Sequence, residues 1–341
     1  MTLGRFRMDR RTLVALGVMA ALLVTLWLIP TDLMISVPGS ATDTAGMVAV
    51  DGITSVPGGG RIMLTTVITR EANALLYIVG GFYPRAELTP ITSYLRPGEE
   101  FEDYLERTRQ MMTESQELAK FAALDYLGYT VSFDGDGVLV VNIRVDSLAE
   151  DILEPGDIIL EAGGQRTRIT DDLLDIVGAH APGDTLEVTF RREDDEAERT
   201  AAITLIESPD DPGSGIIGIG VTTANPSFVF PIEAEIDAGK IGGPSAGLAF
   251  TLTLIDLLTP EESLVGDLEV ACSGTMNVRG EVGSVGGLRL KAYAAQRAGA
   301  DYFMVPTANY DDAKAAAVEV EIVPVDTIDD AVRFLRERVL P

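Results

Sequence analysis

No stretch restricts the fold of this chain more than Lys240-Ile241-Gly242-Gly243-Pro244-Ser245-Ala246-Gly247-Leu248-Ala249-Phe250, where a glycine turn gives way to an almost wholly apolar helical run ending near Leu258. Ser245 stands between a proline and a small residue where that run begins. A serine there suits two roles. It can cap the helix, its side-chain oxygen accepting from an orphan backbone N–H. It can also be a nucleophile. The turn built from Gly243, Pro244 and Ala246 lets the backbone approach a substrate closely, and N–H groups at a helix start stabilise a developing oxyanion.

A nucleophilic serine needs a base. The chain holds one histidine, His180, which belongs to a different module on the reading below, so a Ser-His-Asp set finds almost no candidate. Lysine is the remaining conventional partner. The run Val285-Gly286-Gly287-Leu288-Arg289-Leu290-Lys291-Ala292-Tyr293-Ala294-Ala295-Gln296-Arg297-Ala298-Gly299 reads as a helix opened by a glycine pair and closed near Gly299. Wound at about 100° per residue, it puts Leu288, Leu290, Ala292, Ala294, Ala295 and Ala298 on one arc with Lys291 in its middle. Arg289, Tyr293, Gln296 and Arg297 take the opposite side. A helical lysine is ordinarily a solvated surface residue, but this phase places Lys291 inward. Burial and the positive end of the helix dipole both disfavour its ammonium form, which lowers its pKa toward that of a working base.

Gly-Pro-Ser-Ala-Gly followed by a Gly-Gly-Leu-x-x-Lys helix resembles the proteolytic domain of the Lon protease family, a Ser-Lys dyad fold. Cys272-Ser273-Gly274-Thr275-Met276-Asn277-Val278-Arg279-Gly280-Glu281-Val282 is similar to the strand-turn-strand that precedes the family's lysine helix. The resemblance covers roughly Phe230 to Pro306. It implies Ser245 as nucleophile, Lys291 as general base and Ser273 as the hydroxyl that orients the lysine, a place where the family usually has threonine. Gly242 stands where many members carry aspartate.

Upstream, Arg5, Arg7, Arg10 and Arg11 precede the uncharged, largely apolar run Leu13 to Ile29, at the short end of the roughly 17–25 residues that span a bilayer. An uncleaved anchor is preferred over its rival, a cleavable signal peptide, because no Ala-x-Ala site follows Pro30. By the positive-inside rule the N-terminus is cytoplasmic and everything from Thr31 onward lies outside the cytoplasm, at the cell membrane. A single cysteine, Cys272, precludes an internal disulfide. The formal charge of −27 argues against a nucleic-acid partner.

Between the two motif regions, Val131 to Ile206 reads as a separate unit: a strand over Val138 to Val145, Pro155-Gly156-Asp157-Ile158-Ile159-Leu160 turning into another, a helix over Thr170 to Ala179, and a turn at Pro182-Gly183-Asp184. It resembles a PDZ domain. That implies peptide binding by addition to a sheet edge beside a helix, with Gly137, Val138 and Leu139 at the peptide end and Leu174 and Val177 on the helix side. The acidic Asp134 and Asp136 oppose a terminal carboxylate, and His180 sits at the helix end. Leu174 and Val177 also read as ordinary core residues.

Gly46 to Ile68 reads as a hairpin-like strand pair around a glycine turn and Phe101 to Leu127 as a helix stopped by Gly128. Their order resembles the opening of a Lon proteolytic domain, which implies a catalytic domain interrupted by the PDZ unit. One His and one Cys cannot build a usual zinc site, Asp134 to Val138 departs from a calcium loop, and no Gly-x-x-x-x-Gly-Lys-[Ser/Thr] loop occurs. No metal, cofactor or ATP is expected.

The expected fold is α+β: a cytoplasmic basic tail over 1–12, a transmembrane anchor over 13–30, an N-terminal region over 31–130 that the resemblance makes the first part of the catalytic domain, a β-rich partial-barrel PDZ domain over 131–206, a linker over 207–215 and a Lon-type proteolytic domain over 216–341. The expected function is a membrane-anchored, ATP-independent serine endopeptidase acting on protein or peptide, with no oligomeric state assigned. A catalytically idle PDZ scaffold and a Ser-Lys acyl hydrolase on a non-peptide amide are the alternatives.

Overall fold

A computed structural model describes residues 9–51, 53, 59–95, 99–192, 195–209, 211–261, 263–316 and 319–339. Arg5 and Arg7 of the basic tail, Pro57-Gly58 of the glycine turn and Asp210 of the expected linker lie outside the described residues. The chain divides into two compact units, one formed by Met1–Thr130 with Pro231–Pro341 and the other by Val131–Phe230.

The first unit is built on a six-stranded sheet in the order Glu321–Val325, Tyr302–Pro306, Glu269–Cys272, Arg61–Asn73, Pro30–Asp43, Glu87–Pro90. The first four strands are parallel to one another and the last two join antiparallel. Successive side chains on a strand point to opposite faces, and here both faces are buried. Ile62, Leu64, Val270, Cys272, Met304 and Val323 enter one core with helices Phe101–Tyr126, Gly247–Leu258 and Ile328–Val339. Met63, Ala271, Phe303, Val305 and Ile322 enter another with helices Leu288–Ala298 and Tyr310–Ala316.

The apolar run after Ser245 forms the helix Gly247–Leu258, buried from Gly247 through Leu257. A helix apolar on every side needs cover on every side, supplied by the sheet and the long helix Phe101–Tyr126. Its polar members are satisfied in place. Thr251 and Thr253 hydroxyls donate to the Gly247 and Ala249 carbonyls at 2.9 and 2.8 Å, and the Asp256 carboxylate accepts from the Leu264 N–H at 2.6 Å. The long helix stops as expected at Gly128, where Tyr129 N–H donates to Leu124 O and Gly128 N–H to Asp125 O at 3.0 and 2.8 Å, a Schellman ending.

Three expectations need correction. Val48–Val50 and Arg61–Asn73 are not a hairpin: the first pairs with Ala234–Ile236 and the second lies between Pro30–Asp43 and Glu269–Cys272. Ile62, Met63 and Leu64 bury on both faces, which requires an interior strand. The apolar helix is Arg10–Leu28, begun early because Asp9 accepts from the Thr12 N–H at 2.8 Å, and Pro30 already belongs to the sheet. It is long and apolar enough to cross a membrane.

The third correction concerns the second unit, which extends to Phe230 rather than ending at Ile206. Within the expected linker, Ile206–Glu207 pairs with Gly215–Ile216, and Ile219–Thr223 then joins the sheet. That sheet runs Asp195–Thr204, Thr185–Arg192, Ile158–Ala162, Val138–Ile143, Ile219–Thr223, all antiparallel. Val138, Val140, Leu153, Ile159, Val188 and Phe190 pack with Leu173, Ile176 and Val177 of helix Thr170–Gly178.

Candidate active site

Ser245 lies in a single 3-10 turn, Pro244–Ala246, that leads into the buried helix. Gly243 sets the turn with φ +86°, a left-handed conformation that costs any side chain. The turn is pinned from two sides. Gly243 N–H donates to the Thr108 carbonyl at 2.7 Å, and the Ser115 hydroxyl donates to the Pro244 carbonyl at 2.9 Å, both from the long helix. From the sheet side, Gly274 N–H donates to the Ser245 carbonyl at 3.0 Å. The N-cap positions of the turn and of the helix after it are Gly243 and Ala246, so Ser245 is not the capping residue and its hydroxyl is committed elsewhere.

That commitment is to Lys291, whose Nζ donates to Ser245 Oγ at 2.8 Å and to Ser273 Oγ at 3.0 Å. The helix Leu288–Ala298 opens at Gly287 and buries Leu288, Leu290, Lys291, Ala292, Ala294 and Ala295, the arc read from its phase except Ala298, which is half-buried near the helix end. Ser273 follows the strand Glu269–Cys272 and its N–H continues the parallel ladder to Met304 O at 3.0 Å. A strand end, a helix start and a helix first turn therefore converge three side chains from positions 245, 273 and 291.

Lys291 is 5% exposed, and burial alone pushes its pKa down to about 7. Two hydroxyls and no carboxylate receive its N–H groups among the hydrogen bonds of the described residues, so no ion pair offsets the desolvation. Near neutral pH such an amine can both take and return a proton. The serine end of the dyad opens into a groove of about 600 Å³, lined among others by Ser40, Thr66, Ile68, Tyr94 and Tyr104. Cys272, beside Ser273, is fully buried and burial raises its thiol pKa, leaving it inert.

Of the turn residues expected at an oxyanion site, Gly243 has its N–H engaged with Thr108 and Pro244 has none. The donor left at the start of the turn is the Ser245 N–H, because a 3-10 turn over Pro244–Ala246 spends the Ala246 N–H on the Gly243 carbonyl; Gly243 and Pro244 shape the turn. Thr108 and Ser115 were missed from sequence. For Ser115 a signal existed: it shares the spacing of Met112, Ala119 and Ala122, all buried, so it is a hydroxyl on an apolar stripe.

In the second unit the expected peptide-lining residues fare differently. Val138–Ile143 is an interior strand: Val138 and Leu139 pair with Ile159 and Ile158 on one side and with Thr223 and Thr222 on the other. Gly137 N–H donates to Arg168 O and its carbonyl accepts from Ala224 N–H, at 3.1 and 2.8 Å. No backbone edge remains at Gly137, Val138 and Leu139 for an added strand. Val177 is buried, whereas Leu174 is exposed. The edge is Ile219–Thr223, which among the described strands pairs on one side only, and the Thr170 N–H at the start of the helix donates to Thr223 Oγ1 at 3.0 Å. Asp134 is ion-paired to Arg168, Asp136 accepts from Asn225 Nδ2 at 3.0 Å, and the His180 ring pairs through Nδ1 with the Ile176 carbonyl at 2.8 Å at its helix end.

Comparison with known families matches residues 233–336 to the Lon protease (S16) C-terminal proteolytic domain and residues 125–205 to the PDZ domain. The Lon protease of Trichlorobacter lovleyi is 36% identical over 113 residues, 31% of this chain and 14% of that protein. Lon protease 1 of Myxococcus xanthus is 34% identical over 110 residues, 30% of this chain and 13% of that protein. The chain thus spans about one seventh of the length of the curated relatives it matches. Among solved structures, the PDZ domain of an SdrC-like protein from Listeria monocytogenes is 28% identical, with 25% of this chain and 87% of that chain covered at a TM-score of 0.23. The chain carries a Lon-type serine peptidase domain and a PDZ domain.

Proposed function

We propose that this chain is a membrane-anchored serine endopeptidase that works through a Ser245-Lys291 dyad and cleaves without ATP. The observation that carries the reading is the 2.8 Å contact between Lys291 Nζ and Ser245 Oγ at a buried amine. Neutral Lys291 takes the Ser245 proton as Oγ attacks the scissile carbonyl. The ammonium so formed returns a proton to the leaving amine, and the acyl-enzyme is hydrolysed by water activated at the same lysine. Ser273 holds Nζ in line, and the Ser245 N–H at the start of the turn faces the oxyanion.

The helix Arg10–Leu28 serves as the anchor, with the arginine-rich tail cytoplasmic and both units outside the cytoplasm at the cell membrane. The 341 residues hold no phosphate-cradling loop, so the substrate is a flexible or already exposed protein segment. The PDZ unit engages a peptide by strand addition at the edge Ile219–Thr223 beside Leu174.

The test is proteolysis of casein by the full chain in detergent micelles against Ser245→Ala. Release of peptides by the wild type and none by the variant is expected. Equal release by both proteins sinks the proposal.

A further inference from the structure

Between Glu71 and Arg85 the chain has no charge, and its centre is the helix Ala74–Phe82, Ala-Leu-Leu-Tyr-Ile-Val-Gly-Gly-Phe. Only one side of this helix is covered. Gly80 lies against the strand Pro30–Asp43, close enough that an added Cβ would stand 2.8 Å from Ile35 Cδ1. Tyr77, Ile78, Val79, Phe82 and Tyr83 are exposed, Phe82 to 85%. Clusters of exposed apolar groups in a folded unit mark an interaction surface.

The location of the cluster identifies its partner. Ala74 N–H donates to the Ile29 carbonyl at 2.9 Å and Thr31 Oγ1 to the Ala72 carbonyl at 2.5 Å, so the helix starts at the level where Arg10–Leu28 ends, and the two helices touch. Trp27 near the end of the first helix and Tyr77, Phe82 and Tyr83 on and just after the second are all exposed, and aromatic side chains of this kind populate the membrane–water boundary. The uncharged stretch is too short to cross a bilayer, which takes about 17 residues, yet suits a helix lying in the boundary plane. With no arginine or lysine between Glu71 and Arg85, attraction to anionic lipid plays no part.

We infer that Ala74–Phe82 is a second membrane contact, its Tyr77, Ile78, Val79 and Phe82 face sunk into the lipid boundary beside the anchor. This rests on the anchor reading above. Two contacts fix the proteolytic unit over the bilayer instead of leaving it to swivel on one helix. Ser36 and Ser40, which line the groove at Ser245, belong to the strand Pro30–Asp43 that begins where the anchor ends, so the groove is tied directly to the membrane boundary. Substrate segments just outside the membrane are the ones this geometry serves.

Trp27 is the only tryptophan, so the two membrane contacts can be read separately. Full-length protein is placed in phosphatidylcholine vesicles with and without brominated acyl chains. The wild type reports Trp27, and Trp27→Phe combined with Phe82→Trp reports the helix, while Trp27→Phe with Glu337→Trp reports an exposed position on the last helix. Quenching at 27 and 82 but not at 337 is the expected result. Quenching at 27 alone overturns the second contact and leaves the anchor standing, whereas quenching at neither position overturns both. If the position-82 reporter becomes shielded from iodide only as the protein dimerises, the face belongs to a second copy of the chain and the inference is wrong.

Discussion

Replacing Lys291 with methionine removes the titrating amine while keeping an apolar, unbranched side chain in a site only 5% exposed. With a pKa of about 7 in place of 10.5, about half of the molecules carry a neutral amine at pH 7; an ordinary lysine would supply roughly one in 3,000. The pH profile of kcat/KM on a peptide substrate should therefore rise with an ascending limb near pH 7 in the wild type and vanish in Lys291→Met. Lys291→Arg should be equally inactive, because guanidinium stays protonated. Stability gives a second readout. The folded pKa lies below the unfolded one, so between about pH 7 and 10.5 the unfolded chain binds more protons and stability climbs with pH. Relative to Lys291→Met, the wild type should gain about 4 kcal/mol across that window in urea melts in micelles. A limb above pH 9, or near-normal turnover by Lys291→Arg while Ser245→Ala is dead, would refute the argument and make the lysine structural.

Ser273→Ala should lower kcat by roughly 10–100-fold, the worth of a hydrogen bond to a charged group, with KM little changed, and Ser273→Thr should restore it by returning a hydroxyl 3.0 Å from Nζ. Gly243→Ala meets no neighbouring atom within 4 Å yet must adopt φ +86°, so it should cost about 1–2 kcal/mol in thermal melts and reduce turnover by tilting the serine turn. In the second unit, Leu174→Lys should abolish peptide capture in a fluorescence titration without changing the melt, since Leu174 is exposed. Leu173→Ala, at a position 2% exposed, should instead destabilise by about 2–5 kcal/mol.

Periodicity and turn chemistry made the dyad legible in the sequence. Lys291 falls on the apolar arc of its helix whatever that helix packs against, and an apolar run behind Gly-Gly-Pro-Ser must be buried, so both halves of the site followed from local pattern. The stop of the long helix at Gly128 followed in the same way. Partners distant along the chain were not legible. Arg61–Asn73 reads as half of a hairpin because nearest neighbours usually pair, but its neighbours are Pro30–Asp43 and Glu269–Cys272, the latter nearly 200 residues on in sequence. Likewise Gly137, Val138 and Leu139 look like a peptide-binding edge until Ile219–Thr223, from beyond the expected end of the unit, fills the place beside them. The sequence by itself determined which side chains face inward and where turns fall, since those depend on residues a few positions apart. Which strand becomes an edge, which backbone N–H is already taken, and that Ser115 and Thr108 brace the serine turn are decided only when the whole sheet closes, because backbone hydrogen-bonding groups are common to nearly every residue and carry no sequence label.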